Sequence, residues 1–284
     1  MYSVIIATNN RQKELSTVIA CLKNQIFKPE NIIIIDSSDV TDNRYINDTA
    51  VFYKKVEYKS AAKQRNEGAL MSNSEYVVFL DDDVEFDQFF FDSIFKLVKS
   101  NNIAICAPRQ IGAEIQKPSF LLKLYYKIQS GYTHESYGGK LFGPGLNCYP
   151  HYSYTEEELM KVDWLPSTCL IIKRDVFSLF KFPNFDGYSF GEDVYLTASI
   201  GKIHPIYCFP KIYYKHYSLP TVFKKDILAL NKMKLQNQKK IAKDILGLSG
   251  TELKIKMLLH RIFLSLYALK SQRNKLLYLR SIWQ

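Results

Sequence analysis

The sequence predicts an α/β domain whose mainly parallel sheet is flanked by helices, followed by a C-terminal helical extension. Three observations predict it. Up to about residue 110, short β-branched runs alternate with stretches whose apolar residues recur three and four apart, the pattern of βαβ units. Polar and charged residues gather where those runs end, at Thr8 to Arg11, Asp36 to Ser38 and Asp81 to Asp83. Ligands of open α/β sheets bind beyond the carboxyl ends of the strands. The net charge of +10 is also uneven: Val222 to Gln284 carries 14 Lys or Arg against three acids, a net +11, leaving the first 221 residues at −1.

Taken in order, Ser3 to Ala7 reads as the first strand, and Leu15, Val18, Ile19, Leu22 and Ile26 as the apolar face of a helix closed by Pro29. Asn31 to Ile35 is apolar enough to be covered on both faces, with Asp36 at its carboxyl end. Val51 to Tyr58 reads as a more amphipathic strand, Ala61 to Met71 as a helix, and Tyr76 to Leu80 as a strand. Phe86 to Lys99 reads as a helix and Ile103 to Ala107 as a strand. Periodicity then fades from Pro118 to Pro166, a Tyr- and Gly-rich stretch with the composition of binding loops. Tyr125, Tyr126, Tyr132 and Tyr137 are candidates there for the wall of a binding site. Thr168 to Ile172 resumes as a strand, a helix starts near Arg174, and Ile206 to Tyr214 is a late strand leading to His216. Val222 to Gln284 reads as two or three basic amphipathic helices.

With 47% hydrophobic residues in 284, the chain can bury a large core. Its five cysteines are odd in number, scattered and without a CxxC pair, which suits a reducing compartment. No basic preamble precedes the first apolar run and no run is long enough to span a bilayer, so neither a signal peptide nor a transmembrane helix is expected.

Asp81, Asp82 and Asp83 stand in a row directly after a buried strand. Three adjacent anions repel one another, so one reading is a divalent-cation site; the other is a solvated turn that caps the next helix. Gly191-Glu192-Asp193 opens a helical pattern, where adjacent carboxylates either divide acceptor binding and proton removal or simply complement the helix dipole. His216 is a metal or phosphate contact, or a surface or hydrogen-bonded histidine. Trp164 stacks on a bound ligand or fills the core beside Leu165. In the tail, Ile255, Met257, Leu258, Leu259, Ile262, Phe263, Leu266 and Leu269 among basic residues suit an anionic lipid surface, a cap packed on the domain, or a contact with a second copy.

Together these features resemble the inverting, nucleotide-sugar-dependent family 2 glycosyltransferases of the GT-A fold, over about residues 2 to 217. The resemblance rests on Ser3 to Arg11 at the opening strand, then Ile33-Ile34-Ile35-Asp36-Ser37-Ser38 and Ala62-Lys63-Gln64-Arg65-Asn66-Glu67-Gly68. It continues through Phe79-Leu80-Asp81-Asp82-Asp83, which matches the DxD element, to Val162-Asp163-Trp164-Leu165-Pro166 and Gly191-Glu192-Asp193. Ala7 and Asn9 stand where the family often has Pro and Tyr, and Ser37 where many relatives have a second Asp.

The resemblance implies a mixed, mainly parallel GT-A sheet in a domain of residues 1–221, with a nucleotide-binding half to about 110 and an acceptor half after it, and a tail from 222 to 284. Thr8, Asn10, Arg11 and Asp36 would line the nucleotide pocket. Arg65 would approach the nucleotide, and Asp81 and Asp82 the ribose and sugar. Mn²⁺ or Mg²⁺ would be held chiefly by Asp83, with Asp81 and His216 as further ligands. Asp193 would be the catalytic base, Glu192 would hold the acceptor, and Trp164 would stand on the acceptor side. The expected reaction moves one sugar from a nucleoside-diphosphate sugar, a UDP-sugar being favoured, to a glycan or lipid-linked saccharide in polysaccharide synthesis. Single transfer is favoured because no QxxRW sequence, an element of similar processive synthases, is present. The expected location is cytoplasmic and peripheral, at the inner face of the plasma membrane. Two other classes stay open: a nucleotidyltransferase, for which a Gly-rich phosphate loop is missing, and a nucleic-acid- or membrane-binding protein without catalysis. Nucleic acid is not expected as a partner, because no usual binding module is present and the positive charge avoids the domain with the acidic clusters.

Overall fold

The computed structural model describes residues 1–46, 48–111, 119–131, 138–144, 146–147, 157–185, 190–217, 226–271 and 274–283. Their elements run β1 (Tyr2–Thr8), α1 (Gln12–Lys23), β2 (Asn31–Asp36), β3 (Val51–Lys55), α2 (Ala61–Leu70), β4 (Tyr76–Leu80), β5 (Val84–Glu85) and α3 (Phe90–Ser100). There follow β6 (Ile105–Ile111), α4 (Phe120–Ser130), β7 (Leu141–Phe142), β8 (Leu146–Asn147), β9 (Met160–Val162), β10 (Cys169–Lys173) and α5 (Arg174–Leu179). The chain continues through α6 (Glu192–Ile200), β11 (Ile206–His216), α7 (Ile227–Asp244), α8 (Gly250–Ser271) and α9 (Lys275–Trp283).

The main sheet has the order β3-β2-β1-β4-β10-β6-β11-β5, with β9 paired along β11. Strands β3, β2, β1 and β4 are mutually parallel, so the carboxyl ends of β1, β2 and β4 deliver Thr8, Asp36 and Asp81 to one rim. Strand β10 enters antiparallel between β4 and β6, which makes the whole sheet mixed. Strict alternation then feeds two cores. Val4, Ile6, Ile34, Val78 and Leu80 pack with Leu15 and Val18 of α1 and Phe91 and Ile94 of α3. Ile5, Ile33, Val77 and Phe79 pack on the other face with Ala62 of α2, Phe177 of α5 and Leu196 of α6. Each such side chain, fully buried, contributes about 1.5–3 kcal/mol.

Helix α2 lies close against this sheet because Gly68 faces it. A Cβ there would stand 2.5 Å from Ile5 Cγ2 and 3.3 Å from Ile35 Cγ1. Gly68→Ala is therefore expected to cost about 1–3 kcal/mol by overpacking, where an exposed helical glycine would gain from the change. A denaturant midpoint equal to or above that of the wild type would show that α2 can move away.

Several elements differ from the sequence reading, among them β6, which runs from Ile105 to Ile111 rather than from Ile103 to Ala107. Helix α1 stops at Lys23 rather than near Pro29, and Ile26 is exposed instead of buried. Gln25 takes the buried place: its Nε2 donates to Cys21 O (3.2 Å) and Asp87 O (2.6 Å), while its Oε1 accepts from Phe91 N (3.1 Å). Helix α3 begins at Phe90 rather than Phe86, because Val84 and Glu85 are used as β5, paired with His216 and Lys215 of β11. Strand β3 ends at Lys55, short of Tyr58. Within the segment read as irregular, α4 is a helix capped by Ser119, whose hydroxyl accepts from Leu122 N, and closed by Gly131 at φ +85°. Tyr132 and Tyr137 lie outside the described residues, as does the expected boundary at 221–222.

The tail packs on the domain. Ile241 of α7 joins Trp164 and Val194, and Asn237 Nδ2 donates to Phe190 O (3.0 Å). Helix α8 rests on α4, with Tyr125 stacked on Phe263 at 4.0 Å between centroids. Among the described residues no helix is long and apolar enough to cross a membrane. Cys21, Cys106, Cys169 and Cys208 are thiols.

Between α4, α7 and α8 lies buried His260. Its Nδ1 is 2.7 Å from Tyr125 Oη and its Nε2 is 3.1 Å from Gln238 Oε1, and burial lowers its pKa from 6.5 to about 4. A base with a depressed folded pKa takes up a proton more readily when unfolded. Stability is therefore complete above pH 6.5 and declines as pH falls toward 4, by about 3 kcal/mol for this shift. Denaturation curves across that range should show the decline in wild type and a flatter profile in His260→Gln.

Candidate active site

Strand β4 ends in the three aspartates, and each is held differently. Asp81 Oδ1 accepts from Arg65 Nη2 at 2.8 Å. Asp82 is buried and turned inward, accepting from Thr8 Oγ1 at 2.6 Å and Arg11 Nη1 at 2.9 Å. Burial pushes its carboxyl up to about 6 against the pull of Thr8 and Arg11. Asp83 accepts from Arg11 Nη1 at 2.8 Å, and His216 Nε2 lies 3.0 Å from its Oδ1. The β5–β11 pairing brings His216 there, and Tyr217 N donates to Asp83 O at 3.0 Å. One ligand atom from each of Asp81, Asp83 and His216 lies within 4.8 Å of the others. Two carboxylate oxygens and an imidazole nitrogen form a donor set suited to Mn²⁺, and so these residues fit the expected ion. For His216, burial lowers the imidazole pKa, but the Asp83 hydrogen bond and the Asp81 and Asp83 charges outweigh it and leave it raised.

Arg65, on α2, connects this cluster to the second acidic element. Its Nη1 donates to Glu192 Oε1 while its Nη2 holds Asp81, and the guanidinium also lies 5.4 Å from the Phe182 ring centroid. Burial of Arg65 would favour its neutral form, but Asp81 and Glu192 outweigh that and keep it charged. Gly191, at φ +81°, turns the chain into α6 and places Glu192 and Asp193 in the first helical turn. Burial raises the Asp193 carboxyl; Val194 N, 2.8 Å from its Oδ1, and the Arg65 charge oppose the rise. A carboxyl group raised by burial beside a second carboxylate has the chemistry of a candidate general base.

The first rim segment is tied to the second. Asn10, at φ +57°, donates to Asp39 Oδ2 at 2.8 Å and accepts from Asp39 N at 2.9 Å. Its backbone N donates to Ser38 Oγ at 2.7 Å. Asp36 accepts from Ser38 N at 2.7 Å and Tyr53 Oη at 2.5 Å. Thr8, Asn10, Arg11 and Asp36 therefore share one rim, beside Asp81 to Asp83 and Arg65. Two expectations change. Arg65 is buried between two carboxylates rather than open to a nucleotide, and Asp82 is buried against Thr8 and Arg11 rather than turned to a ribose.

Trp164 does not offer a stacking surface. It is 1% exposed and packs with Val194 and Ile241, so the core reading replaces the acceptor contact. Three other residues matter that sequence patterns did not signal. Gln64 Nε2 donates to Thr8 O (3.1 Å) and Ile35 O (2.6 Å), joining the ends of β1 and β2. Thr197 Oγ1 donates to Asp193 O (2.7 Å) and accepts from Leu165 N (3.0 Å), which anchors α6. Asn237 braces the loop before Gly191 from the tail.

Comparison with known proteins agrees with this layout. A protein of Campylobacter jejuni, GalNAc(5)-diNAcBac-PP-undecaprenol beta-1,3-glucosyltransferase, is 33% identical over 91 residues, a match spanning 29% of each chain. The structure of S. aureus TarS 1-349 in complex with UDP-GlcNAc superposes with a TM-score of 0.58 at 15% identity, covering 96% of this chain and 74% of that one. The mannosyltransferase PcManGT from Pyrobaculum calidifontis, in complex with GDP-Man and Mn²⁺, gives 0.55 at 13% identity, covering 99% and 72%. These likenesses establish the GT-A fold. The family model described as Glycosyl transferase family 2 matches residues 3–161, more than half of the chain, and this protein belongs to that family.

Proposed function

We propose that the protein transfers one sugar, with inversion, from a nucleoside-diphosphate sugar to a glycan or lipid-linked saccharide in cell-surface polysaccharide synthesis. The observation that carries the reading is the Asp81–Arg65–Glu192 bridge, which sets a metal-competent carboxylate and an acceptor-side carboxylate on opposite ends of one buried guanidinium. A UDP-sugar is the favoured donor, in keeping with the UDP-GlcNAc complex of TarS. A lipid-linked acceptor is in keeping with the name of the Campylobacter relative. The location is the cytoplasmic face of the plasma membrane, with the basic tail toward anionic lipid.

Asp81, Asp83 and His216 would hold Mn²⁺ or Mg²⁺, whose positive charge stabilises a departing diphosphate. Thr8, Asn10, Arg11 and Asp36 shape the nucleotide side of the rim. Arg65 fixes Asp81 and Glu192 in register. Glu192 orients an acceptor hydroxyl, and Asp193 takes the proton from that hydroxyl as it attacks the anomeric carbon. Attack on the face opposite the leaving group inverts the configuration. Incubation with UDP-sugars, Mn²⁺ and a lipid-linked saccharide should release nucleoside diphosphate and lengthen the acceptor by one sugar. Release of pyrophosphate from a nucleoside triphosphate and a sugar 1-phosphate, with no transfer from UDP-sugars, would identify a nucleotidyltransferase and overturn the reading.

A further inference from the structure

Helix α4, from the domain, and α8, from the tail, share an exposed apolar face. The Tyr125–Phe263 stack and the Gln129 Nε2 donation to Lys256 O (3.1 Å) hold the two helices side by side. At 100° per residue, Phe263 stands between buried His260 on one side and exposed Ile262 and Leu266 on the other. Tyr125 likewise stands between buried Tyr126 and Gln129 and exposed Leu121 and Ile128. Both exposed stripes therefore border the outer side of one seam. On α4 the stripe comprises Phe120, Leu121, Leu124 and Ile128, and on α8 Leu258, Ile262, Leu266 and Leu269, all between 41% and 79% exposed. Eight large apolar side chains in two adjoining rows are not the scattered exposure of an ordinary surface.

The charge around these rows names the occupant. Lys123 and Lys127 flank the α4 stripe, and Lys254, Arg261 and Lys270 flank that of α8. The acid on α8, Glu252, is paired with Lys256 at 3.0 Å. A second copy of this chain would bring two basic borders together, whereas anionic headgroups neutralise them while acyl chains receive the apolar rows. We propose that the α4–α8 face lies in the plane of an anionic membrane, with these two helices parallel to its surface. It deepens the membrane reading above and is independent of the catalytic roles. The same scaffold links the docked face to the acceptor side, because Asn237 and Ile241 of α7 brace Phe190, Trp164 and Val194.

The test uses the full chain, since removing the tail would uncover Trp164 and Val194. Wild type, the α4 variant Leu121→Glu/Ile128→Glu, the α8 variant Ile262→Glu/Leu266→Glu and the charge variant Arg261→Glu/Lys270→Glu are floated with vesicles. One set contains phosphatidylglycerol with phosphatidylcholine, the other phosphatidylcholine alone; folding is followed by thermal melts and the active site by Mn²⁺-dependent UDP binding. Wild type should float with the anionic vesicles in a salt-sensitive way. Each variant should lose about tenfold or more of that partitioning with its melt and UDP affinity unchanged. Undiminished flotation of the α4 or α8 variant overturns the face, as does a wild-type dimer that fails to float and becomes monomeric in the α8 variant. Flotation of a wild type that binds no UDP would retain the docking face and reject the UDP-sugar donor instead.

Discussion

Asp193→Asn is expected to leave donor binding near the wild-type value while lowering turnover about 10²–10⁴-fold. Asparagine keeps the shape and hydrogen-bonding capacity of the side chain and removes only its basicity. The surroundings are arranged for that basicity: burial raises the Asp193 carboxyl, and Val194 N and the Arg65 charge limit the rise. Because a base works only when deprotonated, the wild-type rate should fall on the acid side at a pH above that of an ordinary aspartate. This acid limb should disappear in the variant. Single-turnover kinetics with saturating donor separate binding from chemistry. A chemical step in Asp193→Asn close to that of the wild type would assign proton removal to another group.

Arg65→Met is expected to be the most destabilising change at the site, costing about 3–5 kcal/mol, as when one partner of a buried ion pair is removed. It would leave Asp81 and buried Glu192 without their shared cation, while Asp82, Asp83 and Asp193 add to the negative charge nearby. Arg65→Lys should recover only part of the loss, because one ammonium cannot present the planar fork that spans both carboxylates. Denaturant titration reads the effect. A loss under about 1 kcal/mol, the range of an exposed pair, would mean that water reaches the bridge.

The strands were the legible part of the fold. Ile32 to Ile35 and Tyr76 to Leu80 are apolar because helices cover both faces, and the aspartates at their ends mark the rim wherever the sheet lies. What sequence patterns missed depends on partners far along the chain. Arg65 lies 16 residues from Asp81 and 127 from Glu192, so no local pattern distinguishes it from a nucleotide contact. Gln25 becomes a buried tie only once Asp87 and Phe91 are folded beside it. A lone tryptophan carries no sign of its surroundings, and those of Trp164 come from α6 and α7. Helix α4 was within reach: Ser119, the spacing of Leu121, Leu124, Tyr125 and Ile128, and Gly131 form a capped amphipathic pattern. It was obscured by the Tyr- and Gly-rich residues that follow. The candidate metal cluster was half legible, since Asp81 and Asp83 stand two residues apart while His216 arrives through the β5–β11 pairing.

The central claim is that the aspartates ending β4 hold a divalent ion that in turn holds a nucleotide, and calorimetric titration of UDP into wild type and Asp83→Asn tests it most directly. Asp83 is buried, accepts from Arg11 and faces His216, so asparagine preserves its volume while removing the charge. Loss of a residue behind a metal ligand costs 10- to 100-fold in affinity, and loss of a ligand itself should cost at least about as much. The metal assignment predicts UDP binding by wild type that requires Mn²⁺ and disappears with a chelator, and binding by Asp83→Asn weakened more than about tenfold in a protein that still melts cooperatively well above the assay temperature. Equal Mn²⁺-dependent UDP affinity in the two proteins would contradict it.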